Sequence, residues 1–107
     1  MAFDEERDAR IAEIVGPWGA TRKKMFGGIG YLLDGNMVAG VHRDRIVLRL
    51  GDEEAVAALL DPRVSVFDIT GRPVRGWVMV DPGVVDDDQL VLWLSTAKAF
   101  VESLPPK

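Results

Sequence analysis

Two hydrophobic periods divide the chain. At the amino end Phe3, Ile11, Ile14 and Val15, with the stem of Arg7, recur at intervals of three and four among charged residues, which predicts an amphipathic helix over residues 4–15. Asp4 suits its N-cap and Gly16-Pro17 ends it. From residue 21 the period becomes two: residues 21–26 suit a first strand, and residues 29–33, 37–41 and 46–50 read as strands joined by turns at Asp34-Gly35 and Arg43-Asp44. A short helix opens at Gly51-Asp52-Glu53-Glu54, with Val56, Leu59 and Leu60 as its buried stripe, and Asp61-Pro62 breaks it. Residues 64–69 and 74–80 form a further strand pair, with Val66 across from Trp77 and Asp68 across from Arg75. In the last helix Asp86 is the N-cap, and Val85 and Leu90 are placed as a hydrophobic staple. Leu90, Trp93, Leu94, Ala97, Val101 and Leu104 make its seam, widened by Val91, Leu92 and Phe100. Counting the three turn-joined strands and leaving residues 21–26 aside, the order helix, three strands, helix, two strands, helix (α-β-β-β-α-β-β-α) predicts an α+β domain of two layers, an antiparallel sheet with helices on one face.

Treating both turns as two-residue loops assigns the faces. Leu32 then lies opposite Met37, Gly30 opposite Ala39, Val41 opposite Ile46 and Ala39 opposite Leu48. Gly30, Leu32, Met37, Ala39, Val41, Ile46, Leu48 and Leu50 share the core side, together with Phe67, Ile69, Val74 and Val78. The other side carries Ile29, Tyr31, Leu33, Val38, Gly40, His42, Arg45, Val47 and Arg49, with Val66, Trp77 and Met79. A one-residue slip in the first hairpin would swap half of these assignments.

Size and charge narrow the classes of function. A chain of 107 residues, 48% of them hydrophobic, is sized for one domain over residues 1–107. It has no cysteine, which excludes a disulfide framework and a thiolate zinc site and suits a cytoplasmic protein. The acidic amino terminus lacks an apolar run and no uncharged apolar stretch of about 18 residues occurs, so neither a signal peptide nor a membrane span is expected. The formal charge of -4 has the wrong sign for gripping nucleic acid through the overall field, though not for a local basic face. The prolines of the tail at 104–107 predict a frayed end.

Few residues invite chemistry. His42, the sole histidine, sits in a turn beside Asp44, with no second histidine for a metal site. Ser65, Ser95 and Ser103 lack the context of a nucleophile. Asp86-Asp87-Asp88 suits the positive end of a helix dipole, and a calcium loop would need acids at alternate positions. Gly27-Gly28-Ile29-Gly30 lacks the spacing and the following helix of a phosphate loop, and reads as a backbone bend. No catalytic residue, metal ligand or cofactor is expected. Trp18 and Trp93 are expected in the core, while the exposure of Trp77 is left open by its position.

The run Arg22-Lys23-Lys24-Met25-Phe26-Gly27-Gly28-Ile29-Gly30, followed by Leu33-Asp34-Gly35-Asn36-Met37, resembles the amino-terminal domain of the TfoX/Sxy family, and the likeness continues through Gly76-Trp77-Val78-Met79-Val80. The resemblance implies a secretion-chaperone-like α+β fold, in which Met25, Phe26, Gly27, Gly28, Gly30, Asp34 and Gly35 are a structural motif. It also implies cytoplasmic regulators of natural competence, thought to help the cyclic-AMP receptor protein at promoters. Those regulators carry a second, helical domain, so this chain is expected to be a stand-alone version, and the family supplies no catalytic residues. The expected working surface is Tyr31, Val38, Arg45, Val47, Arg49, Arg75, Trp77 and Met79, because aromatic residues and arginine favour interfaces. It predicts a non-enzymatic module that contacts a protein partner or forms a homodimer. The alternative is nucleic acid, with aromatics stacking on bases and Lys23, Lys24, Arg45 and Arg49 meeting phosphates.

Overall fold

The architecture comes from a computed structural model that describes residues 5–25, 28–68, 71, 74–81, 83 and 85–106. Helix α1 (Glu5–Val15) leads through a 3₁₀ turn at Gly16–Trp18 into strands β1 (Thr21–Met25), β2 (Gly28–Leu33), β3 (Asn36–His42) and β4 (Arg45–Arg49). Helix α2 (Asp52–Ala58), strands β5 (Val64–Val66) and β6 (Trp77–Val80), and helix α3 (Asp87–Glu102) complete it. The six strands form one antiparallel sheet in the order β1-β2-β3-β4-β6-β5. This is the expected α+β order, with residues 21–25 as a strand of its own at the edge. The expected N-cap Asp4, Phe26, Gly27 and Ile69 lie outside the described residues.

Local chemistry sets the elements. Asp34 and Gly35 take φ angles of 52° and 81°, the positive values that a two-residue type I′ turn requires to match the right-handed twist of its strands. The Asp86 carboxylate accepts from the Gln89 backbone N–H at 2.8 Å, and Val85 and Leu90 are both buried beneath that cap. One core forms between the sheet and two helices: Ile11 and Val15 of α1 and Leu90, Leu94, Ala97 and Val101 of α3 meet Tyr31, Ala39, Val41, Ile46, Leu48, Val78 and Val80. Trp18 and Trp93 pack against its rim, half-buried. The tail is held rather than frayed, since buried Asn36 donates from Nδ2 to the Pro105 carbonyl at 2.9 Å.

The first hairpin departs from the expected register, with large consequences. Leu32 does oppose Met37, but Tyr31, not Gly30, opposes Ala39, so Val38 is an extra residue on β3. Such a bulge puts the residues before and after it on opposite sides of the sheet. Tyr31 and Val38, expected on the open face, are therefore in the core, with Ile29 and Leu33. Leu32 and Met37, expected in the core, are half-buried on the reverse. Past the bulge β3 and β4 pair as anticipated, Ala39 with Leu48 and Val41 with Ile46.

Further expectations are corrected on β5, β6 and the two later helices. Val66 pairs with Val78 rather than Trp77. The chain makes a tight turn first, Trp77 N–H donating to the Val74 carbonyl at 3.2 Å around Gly76 at φ 84°, so β6 begins at Trp77 and Val74 stays 40% exposed. In α2 the inward residues are Ala55 and Ala58, while Val56 and Leu60 are 69% and 87% exposed and Leu59 is also exposed. This helix is short and follows β4 directly, and the side it turns toward the sheet is the one that carries its alanines. On α3, Val91 and Leu92 likewise point outward.

Candidate interaction site

The reverse face of the sheet can be read as rows of paired residues. One row crosses all six strands: Lys23, Gly30, Gly40, Val47, Met79 and Ser65. Its middle is low because two glycines carry no side chain. A Cβ on Gly40 would lie 2.4 Å from the Ile29 carbonyl oxygen and 2.8 Å from the Met37 methyl, so the thioether of Met37 lies across Gly40. A Cβ on Gly28 would lie 2.1 Å from the Val41 carbonyl oxygen. Both glycines are demanded by the close approach of β2 and β3. Val47, expected as a surface residue, is only 2% exposed on this face although it stands apart from the main core.

Toward one end of the face, Arg49 and Trp77 are cross-strand partners. The Arg49 guanidinium lies 5.3 Å from the Trp77 ring centre and 5.7 Å from that of Phe100, which reaches the end of β4 from α3. Phe67 packs on the other ring neighbour of the group, 5.6 Å from Trp77 and tilted by 34°. Cation–π contacts of this kind hold a rotamer-rich side chain flat against the sheet. Arg75 is not brought into the group: it sits at an exposed turn, 3.2 Å from Asp52, in a pair that solvent screens.

Toward the other end lies a hollow of about 400 Å³ lined by His42, Arg43, Asp44, Arg45, Ser65, Asp68 and Met79. Ser65 donates its hydroxyl proton to the Met79 carbonyl at 3.4 Å, and Arg45 stands 3.8 Å from Asp44. Two guanidiniums and two carboxylates balance in charge there. Among the described residues no three His, Asp or Glu side chains group as metal ligands. Of the eight surface residues expected from the sequence, Arg45, Arg49, Trp77 and Met79 share this face half-exposed, Val47 is its covered floor, and Tyr31, Val38 and Arg75 lie elsewhere.

Sequence reasoning missed the group that holds α1 against the sheet. Asp8 is only 8% exposed; its carboxylate accepts from the Tyr31 hydroxyl and, at 2.6 Å and 3.1 Å, from Nη2 and Nε of Arg22. Burial pushes the Tyr31 hydroxyl up to about 12, and the adjoining Asp8 carboxylate adds to the rise. The hydrogen bond to Asp8 likewise raises Arg22 above its ordinary value. A signal was present, because Asp8 stands three residues before Ile11 and seven before Val15, an acid on the apolar stripe.

The family model described as the TfoX N-terminal domain matches residues 13–100. The chain belongs to that family. In this TfoX N-terminal domain the matched span holds the entire sheet and all but the end of α3, while Asp8 falls just ahead of it. Its glycine-rich motif has a defined task at Gly28, where strands approach, at Gly30, opposite Gly40, and at Asp34-Gly35, which makes the turn. Comparison of the TfoX N-terminal domain chain with curated proteins and with solved structures returned no match.

Proposed function

We propose that the chain is a non-enzymatic regulatory module that works in the cytoplasm by protein–protein contact, and that its reverse face binds a second copy of itself. The observation that supports this is the one-sided placement of the helices. α1 and α3 bury their stripes on one side, leaving Leu32, Met37, Trp77 and Met79 half-exposed on the other. Methionine side chains adapt to a facing surface, and arginine held on aromatic rings meets it with little further loss of freedom. Balanced charge around the hollow allows the face to meet its own copy, since Arg43 and Arg45 of one chain find Asp44 and Asp68 of the other. Family membership supports the regulatory reading. No helix among the described residues is long and apolar enough to cross a membrane.

Sedimentation velocity tests the reading. The wild type runs as a dimer at micromolar concentration, and Met79→Asp, which puts a charge in the middle of the face, runs as a folded monomer. A wild type that stays monomeric, or a Met79→Asp dimer of unchanged affinity, overturns it. Labelled DNA at low salt is expected to show no binding that steepens as salt falls, given the net charge of -4.

A further inference from the structure

The sheet has two edges and they differ. β5 is three residues long. β1 is five residues long, reads Thr21-Arg22-Lys23-Lys24-Met25, and ends the sheet with β2 as its only strand partner among the described residues. Residues 21–24 are exposed. An edge strand presents a row of unpaired N–H and C=O groups along its outer side, which is a template for another strand. The charge along this template is of one sign. Arg22 is engaged by Asp8, whereas Lys23 and Lys24 form no ion pair among the described residues. Their side chains alternate: Lys23 lies on the reverse face with Gly30, and Lys24 on the helix face with Ile29.

We infer that β1 accepts an extended acidic segment of another protein as a seventh strand. Its backbone hydrogen bonds supply the hold, and its Asp or Glu side chains on both faces meet Lys23 and Lys24. A second copy of this chain is the wrong occupant, because β1 against β1 would set Arg22, Lys23 and Lys24 against the same residues, and like charges directly opposite destabilise a strand pair. A helix is also wrong, since it leaves no backbone groups for the edge to pair with. The edge thus differs in chemistry from the reverse face, and the inference stands whether or not that face self-associates.

The test uses the whole chain and three fluorescent peptides: one of Val, Thr, Glu and Asp; the same peptide with Lys for each acid; and an acidic version with Pro at alternate positions, which cannot donate to a ladder. Anisotropy measures binding, and amide hydrogen exchange locates it. Only the first peptide binds, and it slows exchange within residues 21–25. The double variant Lys23→Glu/Lys24→Glu weakens it at least about tenfold and admits the lysine peptide instead. Both lysines are exposed, so this variant folds, as its thermal melt will show. Met79→Asp leaves the affinity unchanged, which separates the edge from the reverse face. No binding by the first peptide, equal binding by the proline peptide, unchanged affinity in the double variant, or protection on another strand each overturns the inference.

Discussion

Gly28→Ala lowers the free energy of unfolding by about 3 kcal/mol, at the upper end of what overpacking costs, and Gly40→Ala does so to a similar extent. The new methyl at position 28 would sit 2.1 Å from the Val41 carbonyl oxygen, and at position 40 it would sit 2.4 Å from the Ile29 carbonyl oxygen. Neither obstacle is the free end of a flexible side chain. Strands β2 and β3 must therefore separate, and hydrogen bonds in the middle of the sheet lengthen or break. Gly16→Ala is the control, because a Cβ there meets nothing within 4 Å. Urea denaturation of the three variants checks this, with a lower midpoint for the two strand variants and a midpoint near wild type for the control. Near-wild-type stability of Gly28→Ala would show that the two strands do not approach as described.

Asp8→Ala costs about 2–3 kcal/mol, a melting temperature lower by roughly 10 °C or more for a domain of this size. The carboxylate is an acceptor for two groups at once, and its loss leaves the Tyr31 hydroxyl buried with only a long contact to the Asp8 carbonyl at 3.3 Å. Tyr31→Phe, which leaves Asp8 paired with Arg22, costs only about 1 kcal/mol. The same group gives a pH dependence of known sign. The Tyr31 hydroxyl titrates at about 12 in the folded chain, up from an ordinary value of about 10. Below pH 10 both states keep the proton and the stability is complete. Between pH 10 and 12 the unfolded chain loses its proton while the folded chain retains it, so stability falls as pH rises. The difference between wild type and Tyr31→Phe over that range isolates the effect. Tyr31 is the sole tyrosine, so near-ultraviolet tyrosinate absorbance reads its titration directly. A midpoint near 10 in the native protein would contradict its burial against Asp8.

Legibility in the sequence depended on how local the cause was. The Asp34-Gly35 turn and the Asp86 cap are decided by a few adjacent residues, and both stand where the sequence places them. The α+β order followed from the change of hydrophobic period. The bulge at Val38 did not, because it depends on how β2 and β3 pack rather than on any single residue. That one inserted residue moved Tyr31 from the expected working surface into the core and brought Leu32 and Met37 out to the reverse face. The expected stripe of α2 failed for a related reason: periodicity marks which residues share a side, and only the tertiary position of a short helix decides which side is covered. Arg45, Arg49, Trp77 and Met79 lie on the sheet face expected of them because they stand beyond the bulge, on β4 and β6, where β4 kept its expected pairing with β3 and simple alternation puts the four on one face. Asp8 went unrecognised because acids near a helix start ordinarily serve the dipole, and only a partner on β2 shows that this one is buried.

The central claim, that the reverse face rather than the helix face is the contact surface, is open to a direct measurement because the chain has no cysteine. Met79→Cys places a unique thiol in the middle of the reverse face, and Leu92→Cys places one on α3, at a position 63% exposed. Maleimide labelling of each is followed as protein concentration rises through the dimerisation range. Labelling at position 79 slows with concentration while labelling at position 92 stays constant. A position 79 rate that does not change with concentration, or slowing at position 92 instead, would contradict the account.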